Sequence, residues 1–277
     1  MTDAASSGGA KALVKRVLGA VLPAPVLGSL AHAFLGAMNP TARQQWLRIY
    51  NGNDLRWSLA TLRQIGFRPN AIVDVGAFVG EWSATAHTAF PDAAVAMLEA
   101  RPTQRAVLER VAASLSTDAD VAIALLGATP RDAVPFHITE GGSGSSVMNE
   151  LSDVPRETVM LPVVTLDDAV RGMHVASRVR APILLKLDVQ GYEREVLLGG
   201  AATLGAAEVV VMELSTQRLN EGAPLAHEMV QFLAEHGFQL FDVTGFWREK
   251  DTDVLLQVDV VFVRSSSPLA HQRDARP

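Results

Sequence analysis

Short apolar runs recur along the chain, each closed by an acid or a glycine and each followed by a stretch with helical spacing. Ala71-Ile-Val-Asp-Val75 runs into Gly76 and predicts a buried strand and tight turn; Gly80 to Phe90 predicts a helix. Ala94-Val-Ala-Met-Leu98 forms a second strand that ends in Glu99, with a helix over Pro102–Leu115. A third strand is expected at 121–126, just before Gly127. The alternation resumes with a strand at Pro182–Asp188, a helix from Tyr192 to Leu198 and a strand at Glu208–Leu214. An amphipathic helix over Ala223–His236 follows, closed by Gly237. Phe238–Val243 and Gln257–Arg264 are the last strands, joined through a loop carrying Trp247. With no helix between them, they are expected to be antiparallel. The pattern predicts an α/β fold: a mostly parallel central sheet with an antiparallel last strand, helices on both faces.

The segments outside this alternation read differently. Residues 1–10 are small and polar, which predicts disorder. Val17–Met38 has no formally charged residue and follows Lys11, Lys15 and Arg16. A span or signal peptide would fit that length, but Pro23 and Pro25 interrupt any helix there. Two short apolar helices are the preferred reading, docked on the domain or on a second subunit of a homodimer. Peripheral membrane contact through residues 17–38 is the alternative. Residues 41–66 read as helix, with Trp46 and Trp57 as packing residues, so 1–67 forms a helical extension. The main domain spans 68–264. It carries a β-rich insertion at 128–164, where Val134–Thr139 and Val159–Val164 flank a glycine- and serine-rich loop. Residues 265–277 are expected to fray.

Composition narrows the chemistry. The net charge is −6 and no basic run is present, which argues against a nucleic-acid partner. There is no cysteine, so disulfides, zinc–thiolate sites and thiol nucleophiles are excluded.

Candidate chemistry gathers at two strand ends. A dinucleotide site wants Gly-x-Gly-x-x-Gly, and here the second glycine position is Phe78. A ligand without pyrophosphate fits better, and S-adenosylmethionine is such a ligand. Asp74 would hold its ammonium end directly or through water, Gly76 and Gly80 would let backbone approach, and Glu99 would accept from both ribose hydroxyls. The second strand end is Leu184-Leu-Lys-Leu-Asp-Val-Gln-Gly191. It puts Lys186 and Asp188 on one face, beside Glu213 on the next strand. Asp188 is a candidate base for an acceptor hydroxyl, or with Glu213 a ligand for Mg²⁺, or an orienting carboxylate. An ion-paired set with Lys186 is the bland reading. His137, in the inserted hairpin, is a further candidate for reaching the acceptor.

Asp74-Val-Gly-Ala-Phe-Val-Gly80, Met97-Leu-Glu99-Ala-Arg-Pro102, the Gly144-Ser-Ser146 loop, Thr165-Leu-Asp-Asp168, Leu185-Lys-Leu-Asp-Val-Gln-Gly191-Tyr-Glu193 and Gln257–Arg264 together resemble the FkbM family of methyltransferases. The resemblance covers residues 68–264. It implies a class I, Rossmann-like fold and S-adenosylmethionine-dependent O-methylation of a sugar, polysaccharide or polyketide-type natural product. Separately from the resemblance, the expected location is cytoplasmic, or peripheral to the inner face of the membrane. It implies cofactor contacts at Asp74, Gly76, Gly80 and Glu99, with Ala77, Phe78 and Ala100 beside them, and a site residue at Asp188. Phe78 and Gln190 depart from the pattern: relatives often carry asparagine at the first position and glutamate at the second. Two rival readings stand against an O-methyltransferase. One is a nicotinamide-dependent oxidoreductase, disfavoured by Phe78 and the lack of Tyr-x-x-x-Lys; the other is a non-catalytic binding or scaffold protein.

Overall fold

The computed structural model describes residues 37–39, 54–115, 118–139 and 144–271. Expectations for residues 1–10, for most of the apolar segment 17–38 and for Trp46 lie outside the described residues. Among the described residues no helix is long and apolar enough to cross a membrane.

Asp54 caps helix α1 (Leu55–Gln64) by accepting the Arg56 N–H, and the helix sinks Leu59 and Leu62 into the core. Strand β1 (Ala71–Val75) leads into α2 (Glu81–Ala89), then β2 (Ala94–Glu99), α3 (Arg105–Leu115) and β3 (Ala119–Ile123). β4 (Leu125–Leu126), β5 (Arg131–Thr139) and β6 (Arg156–Val164) follow, then α4 (Leu166–Arg171), β7 (Ile183–Leu187) and α5 (Glu193–Leu198). The chain continues with α6 (Ala201–Ala206), β8 (Ala207–Ser215), α7 (Ala226–Glu235), β9 (Phe238–Arg248) and β10 (Leu255–Arg264).

The central sheet has seven strands in the order β3-β2-β1-β7-β8-β10-β9. Pairing is parallel from β3 through β8, and β10 runs antiparallel to both β8 and β9. Strands β1, β2 and β7 are buried at every position, so their sequences are continuous apolar runs rather than alternations. One face packs Ile72, Met97, Leu184 and Val261 against α1–α3; the other packs Val73, Leu185 and Phe262 against α4, α5 and α7. The order reverses between β1 and β7, because the chain leaves β1 toward β2 and returns on its other side. Ligands of open α/β sheets bind at such a switch point.

Three expectations change. The region at 128–164 supplies two strands of a separate three-stranded sheet, β4-β6-β5, in which the two-residue β4 pairs parallel with β6. Trp247 lies in β9 and not in a loop, because the β9–β10 ladder extends to Arg248. The start of the expected loose tail is anchored: Pro268–His271 forms a 3-10 turn that buries Leu269.

Candidate active site

The β1 strand ends in a turn whose shape is set by a neighbour. Gly76 has φ +77°, and a Cβ there would lie 1.9 Å from the Asp188 carbonyl oxygen. The glycine therefore admits the backbone leaving β7, where the sequence suggested room for a ligand. Gly80 (φ +83°) is the N-cap of α2, and its missing Cβ makes space for Val111 of α3. Ala77 is buried in the core. Phe78 holds a left-handed conformation at φ +50°, unusual for a bulky residue. Its backbone N–H donates to Glu99 Oε2 at 2.9 Å, and the Arg101 guanidinium lies 4.9 Å from its ring centroid.

Asp74 and Lys186 are register partners on adjacent strands and point to the same face. Asp74 is wholly buried; it accepts from Ser83 Oγ at 2.7 Å and pairs with Lys186 Nζ at 3.1 Å. Lys186 Nζ also donates to the Gly76 carbonyl at 2.7 Å and lies 3.7 Å from Asp188. Burial works against the ammonium charge, yet Asp74 and Asp188 outweigh it and hold the Lys186 pKa above its ordinary value. Asp74 thus lies beneath the turn as the partner of a buried lysine and does not itself line the cleft.

The turn after β7 is held by several hydrogen bonds. The Asp188 N–H donates to the Val75 carbonyl. Glu193 Oε1 accepts from the N–H groups of Val189 and Gly191 at 3.0 and 3.1 Å. Burial lifts the Glu193 carboxyl to about 6. Gln190 is left-handed at φ +56°; its carbonyl accepts from Ser146 Oγ at 2.8 Å and Asn220 Nδ2 at 3.0 Å. Its side-chain Nε2 donates to Asp188 Oδ1 at 2.8 Å and to Glu213 Oε2 at 2.7 Å. Glutamine can make both bonds because its amide offers two protons; a glutamate there would set three carboxylates side by side.

Between these two turns opens a cleft. Gly76, Phe78, Glu99, Ala100 and Asp188 line it, whereas Asp74, Ala77, Gly80, Lys186 and Glu213 do not. Leu125, Leu126, Phe136 and Val147 supply an apolar wall, the last two from the inserted segment. Sequence reasoning passed over Arg101, Ser145 and Tyr192, which also line it. Tyr192 Oη accepts from Arg131 Nη2 at 2.6 Å. His137 instead pairs with Thr158 Oγ1 at 2.9 Å within the inserted sheet, and does not line the cleft.

Glu213 is turned toward Gln190 and Gln257, whose amides both donate to its Oε2. Burial first, then the charges of Asp188 and Asp259, push its carboxyl up to about 8. Among the described residues no group of three or more His, Asp or Glu side chains could hold a metal ion. The expected Mg²⁺ site at Asp188 and Glu213 therefore has no support in the coordinates.

A model of the methyltransferase FkbM domain matches residues 74–240. The fold is similar to a methyltransferase FkbM from Methylobacillus flagellatus KT, at 15% identity and TM-score 0.45 over 76% of this chain. The chain covers 49% of that protein's length. It is also similar to magnesium protoporphyrin IX methyltransferase from Synechocystis PCC 6803 with bound SAM, at 11% identity and TM-score 0.40, covering 84% of this chain and 96% of that one. A third likeness is precorrin-6y C5,15-methyltransferase from Geobacter metallireducens GS-15, at 14% identity and TM-score 0.39, covering 76% and 87%. No curated protein matches the chain.

Proposed function

The chain belongs to the FkbM methyltransferase family, and we propose that it moves a methyl group from S-adenosylmethionine to a hydroxyl of a sugar, polysaccharide or polyketide-type acceptor. The observation that carries this reading is a shared cleft: Glu99, ending β2, and Asp188, the residue after β7, line the same cavity at the switch point of the sheet.

The residues present suit the cofactor. Glu99 faces the cleft with a lone pair to spare, as a nucleoside sugar requires, and Leu125, Leu126 and Phe136 offer a flat nucleobase an apolar wall. When bound, the cofactor supplies an electrophilic methyl group. The protein's share is alignment and proton handling. Asp188 keeps a partly exposed carboxylate whose Oδ1 is pinned by Gln190 and whose Oδ2 lies near Lys186. In the proposed mechanism this carboxylate orients the acceptor hydroxyl and takes its proton, while the Glu193, Ser146 and Asn220 bonds hold the turn still.

Calorimetry with S-adenosylhomocysteine and with NADH tests the cofactor, and a glycoside panel tests the acceptor. Glu99→Ala is expected to weaken S-adenosylhomocysteine binding by about 1–3 kcal/mol. A loss below a few tenths would take Glu99 off the ribose, and binding of NADH alone would remove the methyltransferase reading.

A further inference from the structure

Glu99 was expected to accept from both ribose hydroxyls, and its existing hydrogen bonds forbid that. A carboxylate offers about four lone-pair sites, two on each oxygen. Oε1 already accepts the Arg101 backbone N–H at 3.0 Å and the Arg101 Nε–H at 3.3 Å. Oε2 already accepts the Phe78 N–H at 2.9 Å. One site is left, enough for one hydroxyl of a vicinal diol.

Arg101 supplies what is missing. It lines the same cleft, and the residue is only 6% exposed. The Nε bond to Glu99 and the stack on Phe78 fix its guanidinium from two sides. Its Nη2 is buried and has no hydrogen-bond partner among the described residues. A buried guanidinium donor without an acceptor is an expensive defect in a folded chain, and it asks for a ligand oxygen. Nη2 can only donate, so that oxygen must present a lone pair. A ribose diol satisfies both residues at once, one hydroxyl donating to Glu99 and the other accepting from Arg101.

We propose that Arg101 is a cofactor-binding residue that reads one ribose hydroxyl, and that Glu99 and Arg101 together recognise the diol as an acceptor–donor pair. This rests on the cofactor reading above. The test is a cycle between residue and ligand group, measured by calorimetry without turnover. Wild type and Arg101→Met are titrated with S-adenosylhomocysteine and with its 2′-deoxy and 3′-deoxy analogues. The variant is expected to bind S-adenosylhomocysteine about tenfold or more weakly. One analogue, lacking the hydroxyl that Arg101 meets, should bind both proteins within about twofold. Arg101→Gln, which keeps an N–H donor, should recover part of the loss, and it takes the place of the methionine variant if that fails to fold. Equal weakening of all three ligands would mean that Arg101 merely packs on Phe78, and would overturn the proposal, as would an unchanged affinity for S-adenosylhomocysteine. Failure of the wild type to bind S-adenosylhomocysteine at all would overturn the cofactor reading itself, a distinct result.

Discussion

A methyl group at position 76 would drive into the Asp188 carbonyl oxygen at 1.9 Å, at a φ of +77° that side chains avoid. Two separate penalties meet there, and the displaced atom is backbone, which yields less readily than a side-chain tip. Gly76→Ala is expected to lower stability by about 1–3 kcal/mol or more in denaturant melts, and to cost activity because the Asp188 turn must shift. A variant melting with the wild type would show that the two turns are not in contact. Asp188→Asn separates chemistry from binding. It keeps the shape and loses the base, so turnover should fall by about 10²–10⁴ while S-adenosylhomocysteine affinity stays put; unchanged turnover would discard Asp188 as the base. Glu99 and Asp188 were legible as cleft residues because an acid ending an apolar run has few other places to go. The depth of Asp74, by contrast, is not legible from the pattern. Alternation fixes the face a residue points to, but not whether a ligand or Lys186 waits there. Arg101 gave no signal, since an arginine after a strand is ordinarily a solvated one.

At the scale of elements, the strands of the central sheet were readable because burial on both sides makes them unbroken apolar runs. Their partners were less so. β4 is two residues long and gains its identity from β6, whose sequence is far away. β9 continues past Val243, where the expected strand ended, and on through Gly245. That glycine is a packing choice, because a Cβ would lie 2.3 Å from Asp259 Oδ2 of the neighbouring strand. The stretch from Ser265 to His271 is harder to read from composition, since the polar run Ser265–Ser267 hides a structural role. Ser267 Oγ donates to Glu208 and also accepts the Leu269 N–H at 3.1 Å, which turns Leu269 inward against the face covered by α1–α3. A buried leucine shortened to alanine leaves a cavity, so Leu269→Ala should cost about 2–5 kcal/mol. Thermal unfolding would measure it, and a loss under a few tenths would return the segment to the status of a loose tail.

Across the central sheet, one row of polar groups runs near the carboxyl ends of its parallel strands. Asp74 and Lys186 are register partners, as are Glu213 and Asp259, and Asp188 and Gln190 bridge the two pairs. The row carries one buried cation against several acids, and two of those acids, Glu213 and Asp259, are pushed toward their protonated forms. Burial and like charge raise Glu213 to about 8; burial lifts Glu193 to about 6 and raises Asp259 above the usual aspartate range. The sign for stability follows from proton counts. An unfolded glutamate releases its proton near 4.5, whereas folded Glu213 keeps it until about 8. Between those values the folded state binds more protons, so its stability falls as pH rises. Glu193 adds the same slope up to about 6, and the raised Lys186 contributes only above its ordinary value of 10.5. The melting temperature is therefore expected to decline from pH 5 to pH 8.5. Glu213→Gln, which keeps an acceptor oxygen for Gln190 and Gln257 but never ionises, should flatten that decline and melt above the wild type at pH 8.5. Parallel pH–melting curves for the two proteins would mean that Glu213 ionises freely in the fold, and that the acid row is far better solvated than its burial implies.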